Sequence, residues 1–248
     1  MQAETAGISL AYNVLGGMMK ITLKKLIKAF IPYGLLYLLR NEKKYTPPIS
    51  YRPFSRIFDK NFVFLYAGNI PDMVEYKKYD MLGLSLTCSD KRHIRHNITY
   101  RHDLPDNFVD VYQAEDVFEH INYDSLKFVV KEIFRLLKPG GLFCLSGPDY
   151  NNPEVLKNKF LLKDENGIPI FDPAGGGNYE LETGKVIDGG HVWFPVYETV
   201  KKLLETVEWS SVNFLQYYDE DKRAICKEID YSRCYFHRKE SMVVYCYK

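Results

Sequence analysis

Apolar residues along the chain fall into short runs and longer helical stripes that alternate. Asn61 to Ala67 (NFVFLYA) is a continuous apolar run with aromatic and β-branched members, the pattern of a strand buried on both faces. Gly68-Asn69-Ile70-Pro71 stops it. Met81 to Leu86 and Phe108 to Gln113 have the length of strands, not helices. From Asp124 to Leu137 the apolar positions are Leu126, Val129, Val130, Ile133, Phe134, Leu136 and Leu137, a helical spacing with one buried face. Lys138-Pro139-Gly140-Gly141 predicts the end of that helix: a cation near its C-terminus, a proline that cannot continue it and two glycines able to take positive φ. Leu142 to Ser146 follows as a fourth strand. Further on, Tyr197 to Val207 predicts a helix, Asn213 to Tyr218 a strand, and Met242 to Tyr247 an alternating terminal strand that closes the sheet as an antiparallel pair.

Strands alternating with helices predict an α/β fold with a mostly parallel sheet and ligands at the carboxyl ends of the strands. Residues 59–248 form the predicted domain. Within it, residues 150–195 are rich in Asn, Asp, Gly and Pro without strong periodicity, an insertion of the kind that carries function or a lid. Ahead of the domain, Tyr45 to Pro53 reads as an extended connector, and residues 19–58 combine an amphipathic helix with that connector. Lys24, Lys25, Lys28 and Pro32 interrupt the apolar stretch from Ile21 to Leu39, which argues against a membrane span. Residues 20–40 suit either dimer or domain packing or a basic interfacial helix on a membrane. Residues 1–18 read as a tag or extension ahead of Met19.

With 46% hydrophobic residues among 248, the chain can bury a full core. Its 33 Lys+Arg against 32 Asp+Glu provide no basic excess to hold a nucleic acid. The 5 cysteines include no C-x-x-C pair, which argues against a disulfide framework and a zinc site and fits a reducing cytosol. No metal site is expected. The run containing His93, His96 and His102 with Lys91, Arg92, Arg95 and Arg101 reads as a solvated loop.

LPDNFVDVYQAEDVFEHI followed by VVKEIFRLLKPGGLFCLSGPDY resembles class I S-adenosylmethionine-dependent methyltransferases that modify small molecules and sugars. The motifs are an acidic-Leu-Pro turn (Asp103, Leu104, Pro105), a strand with an embedded Asp110, the pair Glu119 and His120, a helix ending R-x-L-K-P-G-G, and a strand ending in Pro-Asp. DENG-x-x-x-FDP-x-GGG and GGHVWFP, in Asp164 to Gly177 and Gly189 to Pro195, are similar to methyltransferases found with bacterial capsule or surface-polysaccharide genes. The resemblance implies a Rossmann-like three-layer αβα fold with a seven-stranded sheet, S-adenosyl-L-methionine as cofactor and S-adenosyl-L-homocysteine as product. Two landmarks depart from the family pattern. The loop after the first strand keeps only one glycine (Ala67, Gly68, Asn69), and the second strand offers Ser85 where an acidic residue commonly holds the ribose.

The resemblance places the cofactor against Ala67, Gly68, Asn69, Ser85, Asp103, Leu104, Ala114 and Glu115, with Asp103 at the adenine. Glu115 is preferred over Asp116 for the cofactor's amino-acid part; the alternative is that both form a first polar turn. His120 and His191 are the candidate bases for an alcohol acceptor. His120 with Glu119 otherwise only orders a loop, and His191 with Trp193 otherwise packs the insertion on the sheet. Asp149, Tyr150 and Trp193 are candidates for acceptor binding, and Pro148-Asp149 otherwise forms a turn. The implied activity is O-methylation of a small-molecule, sugar or phosphoramidate-type precursor of surface polysaccharide. The degraded glycine loop also suits a catalytically silent partner of an active paralogue. A nicotinamide enzyme is disfavoured because no G-x-G-x-x-G follows the first strand.

Overall fold

The computed structural model describes residues 54–174, 176–180 and 185–248, with backbone alone for Tyr179 and residues 185–188. The expectations for residues 1–53 lie outside the described residues. The strands are β1 (Phe64–Ala67), β2 (Met81–Ser85), β3 (His93–Arg95), β4 (Val109–Glu115), β5 (Leu137–Gly147), β6 (Leu162–Lys163), β7 (Pro169–Phe171), β8 (Asn178–Glu180), β9 (Lys185–Asp188), β10 (Ser211–Tyr218), β11 (Ala224–Cys226) and β12 (Met242–Tyr247). The helices are α1 (Tyr123–Leu136), α2 (Pro153–Leu156) and α3 (Tyr197–Leu204).

Eight strands form the main sheet in the order β11-β10-β12-β5-β4-β1-β2-β3. From β3 to β5 all neighbours are parallel, while β12 is antiparallel to both β5 and β10. This is the Rossmann-like sheet with its antiparallel closing strand. The strand beyond the expected seven is β11, which adds to the outer edge of β10 as an antiparallel partner. Its three residues are half-buried or exposed, so no apolar run announces it.

Helix α1 starts where the Asn122 side chain accepts the amide of Ser125 at 2.8 Å. Its inward stripe of Leu126, Val129, Val130, Ile133 and Leu136 is fully buried, each side chain contributing about 1.5–3 kcal/mol through burial. Strand pairing begins at Leu137, one residue beyond the helix and five before the expected start at Leu142. Leu137 opposes Val109 and Leu142 opposes Val111, so the intervening Lys138-Pro139-Gly140-Gly141 bulges from the ladder. A side chain at Gly141 would place its Cβ 2.7 Å from the Lys138 carbonyl oxygen, which explains a glycine there. Asp110 joins this bulge to β1: it pairs with Lys138 Nζ at 2.8 Å and accepts the amide of Val63 at 2.8 Å.

The sheet has two differently covered faces. Leu65, Ala67, Leu84, Ala114, Phe143, Leu145 and Val244 pack with α1 and α3. Phe64, Tyr66, Met81, Val111, Leu142, Cys144 and Tyr245 pack instead with Tyr76, Cys234 and Phe236. Among the described residues, this second face is covered by irregular chain and one turn of 3-10 helix (Tyr76–Lys78), with no α-helix in its core cluster. The crossover from β1 to the parallel β2 correspondingly carries that 3-10 turn in place of an α-helix.

The insertion is organised rather than loop-like, containing α2 and the hairpins β6-β7 and β8-β9. Backbone bonds from Tyr150 to Pro195 at 2.9 Å and from His191 to Asp172 at 2.8 Å close it on itself, and the bond from Val192 to Glu119 at 2.8 Å seats it on the domain. Gly190 makes this close approach possible, since a Cβ there would lie 2.4 Å from the Asp172 carbonyl oxygen. No helix among the described residues is long and apolar enough to cross a membrane.

Candidate functional site

Strand order reverses between β1 and β4, and an open α/β sheet binds ligands at the carboxyl ends of strands beside such a switch point. A cavity of about 500 Å³ lies there, bounded by Ala67, Gly68 and Asn69 after β1, Leu84 and Leu86 at β2, His96, Asn97 and Ile98 past β3, and Glu115 to Val117 with His120 past β4. Its size falls within the range of small-molecule sites. A second depression, lined by Arg56, Lys60, Lys77 and Met81, sits at the amino end of β2, away from this edge. The expected loop Ala67-Gly68-Asn69 therefore borders the cleft. Gly68 takes φ +95 and donates its amide to Leu84 at 2.9 Å. Gly83 must also be a glycine: its Cβ would lie 2.8 Å from the Gly68 oxygen and 2.5 Å from the His93 ring.

Glu115 ends β4 and Asp116 follows it; both border the cleft, with different partners. Glu115 is buried and accepts hydrogen bonds from Tyr76 at 2.5 Å, Tyr66 at 3.1 Å, the His237 amide at 2.9 Å and His237 Nδ1 at 2.7 Å. That carboxylate is saturated by protein groups and anchors the C-terminal segment. Asp116, the next residue, takes a positive φ of 51. Its Oδ2 pairs with Arg238 Nε at 2.9 Å, while its Oδ1 is buried without a hydrogen-bond partner. Burial holds the Asp116 carboxyl above its usual range.

Other expected cofactor residues are placed elsewhere. Ser85 is buried, and its hydroxyl accepts the amides of Thr87 and Cys88 at 3.0 and 2.8 Å, so it closes the turn after β2. Leu104 and Ala114 lie in the core under the helices, and Asp103 is exposed; none of the three borders the cleft. His96, Asn97 and Ile98 occupy the cleft wall instead. Lys91, Arg95 and Arg101 are exposed, but the solvated-loop reading is corrected for two of the histidines: His102 is 1% exposed, the His96 ring packs on it tilted by 54° with ring centres 4.4 Å apart, and the His96 Nε2 is buried without a partner. Burial pushes the His96 imidazole down to about 3. Sequence pattern hides this wall because β3 is three residues of mixed polarity, HIR.

His120 and His191, distant in sequence, meet with ring centres 4.8 Å apart. His120 Nδ1 donates to the Gly190 carbonyl at 2.9 Å. Tyr150 donates its hydroxyl to Asp172 at 2.7 Å and accepts from His191 Nδ1 at 2.5 Å. Both rings thereby direct Nε2 towards the buried Glu119, whose Oε1 lies 4.0 Å from His120 Nε2 and 3.9 Å from His191 Nε2. Burial pushes the Glu119 carboxyl up to about 8 and holds the His191 imidazole below its usual range. His120 borders the cleft and also bonds the insertion at Gly190.

The expected acceptor residues are mostly interior. Asp149 accepts the amides of Asn151 and Tyr218 at 2.9 and 2.7 Å and is fully buried, the structural alternative to acceptor binding. Tyr150 is buried and orients His191. Trp193 donates Nε1 to the Phe118 carbonyl at 2.6 Å and packs on Tyr123, fixing the insertion to the turn that carries His120. Glu119 and Asp172 were not singled out for chemistry by sequence pattern, because their neighbours in space come from segments about 20–75 residues away, as the Trp193-to-Phe118 and Tyr150-to-Asp172 bonds show.

A family model described as a methyltransferase domain matches residues 75–145, from just before β2 into β5. The match begins after the unusual β1 loop. Among solved structures, the chain is similar to an S-adenosylmethionine-dependent methyltransferase from Clostridium acetobutylicum, at 16% identity over 96% of this chain and 98% of that one, with a TM-score of 0.45. It is also similar to one from Archaeoglobus fulgidus, at 15% identity over 79% and 91%, with a TM-score of 0.46. No curated protein matches the sequence.

Proposed function

We propose that the protein is an S-adenosylmethionine-dependent methyltransferase that methylates a hydroxyl oxygen of a small, sugar-type acceptor. The observation that carries this reading is the cleft at the β1/β4 switch point with the unpartnered Asp116 Oδ1 in its wall. The methyltransferase-domain match over residues 75–145 supports it. The lining fits the cofactor: the Asp116 carboxyl for its cationic amino-acid part, His96 and Asn97 for hydroxyl or ring nitrogen atoms after a small side-chain shift, and Leu86 and Ile98 for the flat faces of the base.

Bound there, the cofactor supplies an electrophilic methyl group on a sulfonium. The chain's own task is to align the acceptor oxygen with that carbon, exclude water and accept the hydroxyl proton as the new bond forms. The rim cluster of Glu119, His120 and His191 has the basic atoms for the last part. The hydrogen bonds to Gly190 and Tyr150 hold both imidazoles with Nε2 free of its own proton. The acceptor class is supported by the likeness of residues 164–177 and 189–195 to surface-polysaccharide methyltransferases, and the second of these stretches supplies His191. Five free thiols accord with a reducing cytosol as the working compartment.

Calorimetry with S-adenosylhomocysteine tests the core of this reading. Saturable binding at one site is expected; a folded sample that binds neither cofactor form at millimolar concentration would sink it in favour of a silent partner protein. A methyl-donor assay on nucleotide-activated sugars then tests the acceptor, with His120→Ala expected to lower kcat by about 10²–10⁴-fold.

A further inference from the structure

We infer that Glu119, His120 and His191 form a binding site for a divalent first-row transition-metal ion at the rim of the cleft. The inference rests on the function proposed above only for what the ion would do. Its geometry is independent. Glu119 Oε1 lies 4.0 Å from His120 Nε2 and 3.9 Å from His191 Nε2, and the donor atoms of the three residues all lie within 4.8 Å of one another. These separations are too long for hydrogen bonds between the groups.

The second argument is proton placement. A carbonyl only accepts, so the bond from His120 to Gly190 puts the proton on Nδ1 and leaves a lone pair on Nε2. The Tyr150 hydroxyl spends its proton on Asp172, so it accepts from His191 Nδ1–H and leaves a second lone pair on His191 Nε2. Two imidazole lone pairs and a carboxylate oxygen thus face one small volume. Each histidine has its other nitrogen held by an outer acceptor, the arrangement that fixes the tautomer of metal-ligating histidines.

Ligands bound at about 2.0–2.2 Å lie about 2.8–3.6 Å apart in tetrahedral or octahedral geometry, so closing the triad requires the two edges from Glu119 to shorten by about 0.3–1.2 Å and the imidazole–imidazole edge by more, through side-chain rotation. Two imidazoles and one carboxylate select zinc, cobalt, iron or manganese over calcium and magnesium. His120 is 31% exposed at its side chain and borders the cleft, which leaves the open position of a three-ligand site facing the acceptor. With both Nε2 lone pairs given to the ion, the ion would replace the imidazole base: an acceptor hydroxyl bound to it would have a lowered pKa and lose its proton to solvent at the rim before its oxygen takes the methyl group.

The test is titration of the full, chelator-treated chain with Co²⁺, followed by visible d–d absorption. Expected is a saturable band at one equivalent, displaced by Zn²⁺, with Kd raised at least about tenfold in His120→Ala and unchanged in Cys226→Ser. His120 is partly exposed, so that variant should keep its circular dichroism; Tyr150→Phe provides a second, buried-side perturbation and should also weaken Co²⁺ binding. Absence of a saturable band, equal affinity in His120→Ala, or loss of the band in Cys226→Ser would overturn the proposal. S-adenosylhomocysteine calorimetry on the same metal-free sample separates the two readings: cofactor binding without Co²⁺ binding removes the ion alone, and Co²⁺ binding without cofactor binding removes the methyltransferase reading alone.

Discussion

At the scale of single residues, Glu115 and Asp116 show how adjacent, chemically similar groups receive different work. Strand alternation points Glu115 to the face lined by Tyr66 and Tyr76, where protein donors saturate it. Asp116 takes φ 51, pairs one oxygen with Arg238 and keeps the other unpartnered in the cleft wall. Asp116→Asn should therefore weaken S-adenosylmethionine binding by about tenfold, or 1.4 kcal/mol, measured by calorimetry, because the amide keeps the shape and loses the charge. His96 makes a different prediction. Its folded-state imidazole is pushed from 6.5 down to about 3 by burial, so the unfolded chain takes up a proton first as pH falls. Stability is fully present above pH 6.5 and is lost as pH falls through that window towards 3. Thermal melts across this range should show the loss, with a shallower slope in His96→Asn.

At the scale of elements, the site depends on close contacts among turns at one sheet edge. Gly83 in β2 sits against both the His93 ring and the Gly68 carbonyl. Gly83→Ala should cost about 1–3 kcal/mol of stability in denaturant unfolding and weaken cofactor binding together with it, since the β1 loop must shift. The β1 loop needs only Gly68 for its positive φ, so the missing glycines of the family pattern do not prevent the turn. The insertion and the turn that carries His120 are likewise one unit, tied by Val192 to Glu119 and by Trp193 to Phe118.

At the scale of the whole molecule, the segment between β11 and β12 takes over part of the covering role that helices play on the other face. It contributes Cys234 and Phe236 to the second core and His237 and Arg238 to the two acids after β4. Replacing His237 with alanine should cost about 1–3 kcal/mol, measured by chemical unfolding, because Glu115 stays buried with one donor fewer. A result near zero would mean that the Tyr66, Tyr76 and backbone bonds suffice.

Periodicity and turn chemistry alone determined the central strands, α1, α3 and the antiparallel closing strand, because each buries a continuous or regularly spaced apolar set. They also placed the Ala67-Gly68-Asn69 loop and His120 at the functional edge. Short polar strands escaped that signal: β3, β11 and the insertion hairpins draw their pairing from neighbours rather than from their own apolar pattern. Only the tertiary structure decided that protein donors saturate Glu115 while Asp116 keeps an unpartnered oxygen, that His96 forms the cleft wall, and that Glu119, His120 and His191 converge. Backbone φ at one residue and contacts between segments far apart in sequence set those facts, and neither is encoded in local spacing.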